Sequence, residues 1–237
     1  MCMPAKKNNW GSVRRLALDE IAMRKGHKDF VTVVGDIEQG DLLEVVNSHS
    51  AEQMIKVLEQ QPFEVRSQVR EVSIDMWGGF PKVITQVFPN AVVVYDRFHV
   101  MKLVNGELNK LRRQVGVRTR GSRYLLLKNH ADLTPEQQFE LEQVLGHSAC
   151  LRIAYELKEE FRQIYQTART PQSGQRRFRV WLNQASQLYQ ASSQTIRDHL
   201  EGICNYFISH SSSGAMEGIN NRIKLIKRQG YGFTNFD

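Results

Sequence analysis

Two short strand-like runs in this sequence end at a carboxylate. Val69, Val72 and Ile74 are strand-forming residues that stop at Asp75, and Gly78 and Gly79 break the chain just beyond it. The run Ala91-Val92-Val93-Val94-Tyr95 ends in the same way at Asp96, with His99 three residues on. An apolar run of this kind between turn signals suits a strand buried on both faces. Two such strands, parallel and joined by a helix, bring both acids to one edge of one sheet. In open α/β sheets that carboxyl edge is where ligands bind. Two more acids stand far away in sequence: Asp19 on or beside an earlier strand, and Glu217 in the first turn of the last predicted helix. Carboxylates gathered like this suit phosphodiester cleavage by two metal ions about 4 Å apart, one activating the attacking oxygen and one stabilising the leaving oxygen. Mg²⁺ asks for only a few carboxylates, completing its shell with water and substrate phosphates. Asp19, Asp75 and Glu217 are therefore the candidate catalytic and metal-binding set.

Each acid also has an ordinary reading. Asp75 suits a turn before the two glycines. Glu217 near a helix N-terminus is stabilised by the helix dipole without any metal. Asp19 competes with its neighbour Glu20. Asp96 and His99 can share one face where a strand enters a helix, orienting the metal site or contacting DNA, or else forming a structural hydrogen bond or cap. Downstream of Glu217, Lys224 falls on the same helix face two turns later, and Lys227 and Arg228 follow on that helix. These cations could hold a phosphate backbone, whereas Arg222 reads as part of a solvated face. A second basic group, which includes Arg112 and Arg113, runs from Lys110 to Arg123. A third, Arg176, Arg177 and Arg179, flanks the aromatics Phe178 and Trp181.

The elements that must position these groups follow from patterning. Val13 to Ile21, Phe30 to Val34 and Leu42 to Val46 predict three antiparallel strands, with Asp36 to Gly40 as a hairpin connection. A helix starts near Ser50, with Gln53 as capping-box partner, and Pro62 ends it. Strand four spans Val69 to Ile74, a helix Phe80 to Phe88, and strand five Ala91 to Tyr95, giving βββ-α-β-α-β. From about Phe98 to residue 209 the periodicity is helical, with Thr134-Pro135-Glu136 as one helix start. The final helix runs from about Ala215 to Arg228, with Gly230 as its stop. The predicted organisation is an extension over 1–12, the first part of an α/β core over 13–100, a helical insertion over 101–209 and a closing helical segment over 210–237.

Bulk properties agree with a polyanionic partner. Lys and Arg number 32 against 25 Asp and Glu, a net charge of +7, and cations of this kind bind nucleic acid by neutralising phosphates. Cys2, Cys150 and Cys204 have neither CxxC nor zinc-ligand spacing, which fits a reducing cytoplasm. No run of 18 apolar residues suggests a membrane span, and the first twelve residues contain no secretory h-region.

Four segments, in order, carry a resemblance: Asp19 to His27, Asp75-Met76-Trp77-Gly78, Asp96-Arg97-Phe98-His99-Val100 and Glu217-Gly218-Ile219-Asn220-Asn221-Arg222-Ile223-Lys224. Together they resemble the catalytic region of DDE transposases of bacterial insertion sequences, in particular the ISL-three-type group related to Mutator-like elements, over about residues 13 to 236. The resemblance implies a ribonuclease H-like mixed sheet interrupted by an all-helical insertion before the last acidic helix. It also implies Mg²⁺ or Mn²⁺, as two ions, held by Asp19, Asp75 and Glu217. Asp96 and His99 fit a separate Asp-x-x-His motif of related superfamilies, although another alignment makes Asp96 the second ligand. Asp75 is preferred because the fourth strand neighbours the first in this fold. The implied partners are DNA, as element ends and target, and further copies of the chain in a homo-oligomeric active complex, within a bacterial, nucleoid-associated cytoplasmic setting. Full-length relatives resemble longer proteins with a zinc-binding segment and a helix-turn-helix. The expectation is thus a truncated catalytic domain, with an inactive DNA-binding remnant or a stand-alone nuclease as alternatives.

Overall fold

The computed structural model describes residues 10–24, 28–48, 50–211 and 214–229. Lys25 to His27 of the first resemblance segment, Cys2, most of the 1–12 extension, Gly230 and the final residues lie outside the described residues.

The chain divides into two compact units, residues 1–96 with 210–237, and residues 97–209. The first unit is built on a mixed five-stranded sheet, β1 Arg15–Arg24, β2 Lys28–Asp36, β3 Asp41–Val46, β4 Glu71–Ile74 and β5 Val92–Tyr95. The order across the sheet is β3-β2-β1-β4-β5. The first three strands form an antiparallel meander, and β4 and β5 run parallel to β1 on its other side. The fourth strand does neighbour the first. The β2–β3 hairpin turns where expected. Asp36 Oδ1 accepts from the N–H groups of Glu38 and Gln39, and Gly40 takes a φ of 72°, a conformation that glycine adopts at no steric cost.

Helices α1 Ala51–Leu58, α2 Phe63–Arg66 and α3 Phe80–Val87 fill the connections between β3 and β5. The short α2 was not foreseen: Pro62 lies at its N-cap, and the first helix has already ended at Leu58. The expected Ser50–Gln53 capping box does not form. The Ser50 side chain makes no cap bond to the helix, and its hydroxyl donates to Glu52 Oε2 at 2.8 Å. Every residue of β4 is buried. Leu16 and Leu18 on one face of β1 are as fully buried as Ala17 and Ile21 on the other, so the central strand is sealed on both faces.

The last helix of this unit, α12 (Gly214–Gln229), covers the β1–β2 face. Met216 and Ile219 join Ala17, Ile21, Val31 and Val33 in one cluster. Their seat is Gly35, where a Cβ would come within 2.7 Å of Ile219 Cδ1 and 3.3 Å of Met216 Sδ. At the start of the strands Ser211 donates to the buried Glu71 and accepts from Arg15, which also pairs with Glu71 at 3.6 Å. This network ties the returning chain to the sheet.

The second unit is entirely helical: α4 Arg97–Gln114, α5 Ser122–Leu127, α6 Pro135–Leu145, α7 Ala149–Thr167, α8 Pro171–Ala185, α9 Gln190–Asp198, α10 Leu200–Cys204 and α11 Tyr206–Ser209. Its core is aromatic, with Phe161 4.6 Å from Trp181 and 4.9 Å from Phe178 between ring centres. Trp181 donates to the Leu157 carbonyl at 2.7 Å, and the Tyr189 hydroxyl donates to the Ala154 carbonyl at 2.5 Å. Phe178 and Trp181 are thus core residues, while Arg176, Arg177 and Arg179 beside them face outward. Thr134 and Gln137 form the capping box of α6, with Pro135 as its first residue.

Candidate functional site

The parallel pairing of β1 with β4 runs Arg15–Glu71, Leu16–Val72, Ala17–Ser73, Leu18–Ile74. One further step along both strands reaches Asp19 and Asp75. The pairing of β4 with β5 ends at Ile74–Tyr95, and the next residue is Asp96, whose N–H donates to the Ile74 carbonyl at 2.8 Å. Three aspartates thus form one row across the carboxyl edge, with Asp75 in the middle. Neighbouring strands lie about 4.8 Å apart, so Asp19 is one strand spacing from Asp75 and two from Asp96. This spacing makes Asp75 the closer partner for Asp19.

Alternation along β1 decides between Asp19 and Glu20. Residues two apart share a face, so Asp19 stands with Ala17 and Ile21 on the side that α12 covers, and Glu20 points to the other side. Asp19 Oδ2 accepts from Asn220 Nδ2 on α12 at 2.6 Å, and its Oδ1 accepts from the Glu20 N–H at 2.8 Å. Asp75 Oδ1 accepts from the Trp77 N–H at 2.8 Å, so this aspartate also forms the turn that the glycines suggested.

Glu217 is exposed in the first turn of α12. The position of this helix over the sheet sets which way it faces. Ile219 packs at Gly35 on β2, and Asn220 meets Asp19 on β1. Residues advance about 100° around a helix, so Glu217 lies roughly 60° beyond Asn220 on the side away from Ile219. That sense of rotation runs from β2 across β1 towards β4. Lys227 donates to the Ala22 carbonyl at 3.0 Å, holding the far end of the helix on β1. Lys224 and Arg228 are exposed on the same helix.

The structure thus brings Asp19, midway along β1, beside Asp75, just past the end of β4, and places α12 over the Asp19 face. It does not draw Glu217 in with them: among the described residues no three His, Cys, Asp or Glu side chains gather closely enough to hold a metal ion by themselves. Two adjacent carboxylates still meet the demand of Mg²⁺, which is commonly held by one or two of them together with water and substrate phosphates. The donor set fits a hard divalent cation. Asp96 closes the first unit, and His99 stands in the first turn of α4 in the second.

The basic candidates separate by contact. Arg112 is largely occupied, donating to Asn109 Oδ1 at 3.0 Å and to the Val117 carbonyl at 2.6 Å, so it shapes the turn after α4. Arg113 is exposed. Asn220 lies in the Glu217–Lys224 resemblance segment but was given no role there; it stands three residues after Glu217, close to the same helix face.

A family model described as transposase matches residues 16–237. The chain is 30% identical to the transposase for insertion sequence element IS1001 of Bordetella parapertussis, over 97% of this chain and 60% of that protein. It is 24% identical to the transposase for insertion sequence element IS1557 of Mycobacterium tuberculosis, over 96% of this chain and 59% of that one. The chain therefore spans about three-fifths of the length of these curated relatives. No helix among the described residues is long and apolar enough to cross a membrane.

Proposed function

Given that the chain belongs to the ISL-three-type family of insertion-sequence transposases, we propose that its sheet-containing unit is a ribonuclease H-like DDE catalytic core. It cuts DNA strands and joins them to a target. The strand order and the parallel β4 and β5 beside an antiparallel meander support that reading of the fold. The observation that carries the chemistry is the β1–β4 register, which leads one step on to Asp19 and Asp75, with Asn220 of α12 bonded to Asp19.

In this reading Asp19 and Asp75 hold Mg²⁺ or Mn²⁺ at the carboxyl edge, and Glu217 completes the set from α12. When bound, such ions activate an attacking oxygen and neutralise charge on the phosphate. The remaining work of the chain is positioning. The β1–β4 pairing fixes the first two carboxylates, and the apolar seat of Met216 and Ile219 fixes the helix that carries the third. Lys224, Lys227, Arg228 and Arg113 bind DNA phosphates, while Asp96 supports the site from the end of β5. The partners are element ends and target DNA, with copies of the chain assembling on them.

The test is Asp75→Asn assayed for Mg²⁺-dependent nicking of DNA carrying element ends. Loss of nicking with an unchanged melting temperature supports the reading, and unchanged nicking refutes it. A strand-transfer assay with and without those ends separates transposition from stand-alone nuclease action. The second reading, an inactive DNA-binding remnant, is favoured by the exposed position of Glu217 and the want of a three-ligand cluster among the described residues. It predicts salt-sensitive DNA binding without metal-dependent nicking.

A further inference from the structure

We infer that Asn220 is a positioning residue for the candidate cation site, setting the Asp19 carboxylate for a divalent ion and tying Glu217's helix to β1. This inference rests on the metal reading proposed above. Asn220 is 6% exposed, its Nδ2 donates to Asp19 Oδ2 at 2.6 Å, and its Oδ1 is buried without a partner. A carboxylate can only accept, so the amide has to present its NH₂ to Asp19. The orientation that leaves Oδ1 unpaired is thereby imposed by Asp19 itself.

Two consequences follow from this contact. Asp19 receives one donor from its own strand, the Glu20 N–H, and one from a helix 201 positions away; together these fix how the carboxylate is turned. The Asn220 amide also leaves a buried acceptor beside that carboxylate. A buried acceptor left unpaired costs about 1–3 kcal/mol, and a hydrated cation brings the O–H donors that relieve such a cost. Groups that hydrogen-bond a metal-binding carboxylate orient it, and their removal typically weakens metal affinity about 10–100-fold.

Mn²⁺ binding to the 237-residue chain, followed by calorimetry and by the electron paramagnetic resonance of free Mn²⁺, tests the assignment without relying on activity. Asn220→Ala should weaken Mn²⁺ about 10–100-fold. Asn220→Leu fills the same space, removes the unpaired oxygen and should weaken Mn²⁺ likewise in a folded protein. Asn221→Ala removes an amide from the exposed face of the same helix, and should leave the affinity close to wild type. The inference is overturned if either Asn220 variant folds and binds Mn²⁺ as wild type does, or if Asn221→Ala weakens binding as much as Asn220→Ala. Failure of the wild-type chain to bind Mn²⁺, or equal binding by Asp75→Asn, sinks the metal reading and this inference with it. The two failures are thus distinguishable.

Discussion

Asp19 and Glu20 are adjacent carboxylates of nearly equal chemistry, and strand alternation gives them different surroundings. Asp19 lies under α12 with an amide on its Oδ2, while Glu20 belongs to the opposite face. Under the proposed function, Asp19→Asn should abolish Mg²⁺-dependent nicking and Glu20→Gln should retain it. Nicking assays on the two purified variants check this, and an equal loss in both would show that the strand face does not select the ligand. The Asp75 turn makes a related point. Its Oδ1 accepts from Trp77 N–H, so the structural reading of this residue is true, and it is compatible with the other oxygen serving a cation. Asp75 and Glu217 were legible as candidates because an acid at a strand end and one in a helix first turn leave a pattern, whereas Asp19, midway along β1, was singled out over Glu20 by the family resemblance. Asn220 was not, because an amide on a helix face announces no partner until the opposing strand is known.

At the level of elements, the seat of α12 depends on the small residue beneath it. A Cβ at position 35 would meet Ile219 and Met216 at 2.7 and 3.3 Å. Gly35→Val therefore overpacks this face and should destabilise the first unit by about 1–3 kcal/mol, the usual cost of forcing extra carbon into a packed core. Thermal unfolding measures that loss, and nicking should fall more than stability because Glu217 rides on the displaced helix. The helical unit offers a test of its own. Burial raises the Tyr189 pKa above its ordinary value of 10.0, with Glu107 adding in the same direction. The folded state then keeps a proton that the unfolded state releases above pH 10, so the stability from this residue is complete below that pH and is lost above it. Tyr189→Phe should make the alkaline fall in stability shallower, while costing about 1 kcal/mol at neutral pH for the lost hydrogen bond. Urea titrations at pH 8 and pH 10.5 compare the two slopes.

For the molecule as a whole, the net charge of +7 predicts DNA binding that weakens with salt, but not every cation contributes equally. Lys224 and Arg228 are exposed on α12. Replacing either with Ala should lower the slope of log affinity against log salt by about one. Arg112→Ala should change that slope less and lower stability instead, because its guanidinium already serves the Val117 carbonyl and Asn109. Fluorescence anisotropy across a salt series distinguishes the two outcomes; equal slope changes for all three would mean that contacts within the fold do not withhold Arg112 from DNA.

The local order of elements was readable from the chain because hydrophobic period is a local property, though burial was not readable: fully buried β4 holds Glu71 and Ser73, while the all-apolar β5 leaves Val92 exposed. Five strands, the hairpin at Asp36 to Gly40 and the helical run after Phe98 all follow from that local patterning. The Ser50–Gln53 cap failed because it turned on the orientation of a single hydroxyl, which lies toward Glu52 and accepts nothing from the helix N-terminus. What only the tertiary structure decided is register and apposition. That Leu18 pairs with Ile74, that Ile219 seats on Gly35 and that Asn220 meets Asp19 depend on groups up to 201 positions apart. Such pairings are fixed by shape and donor–acceptor matching between surfaces that exist only once each element has formed.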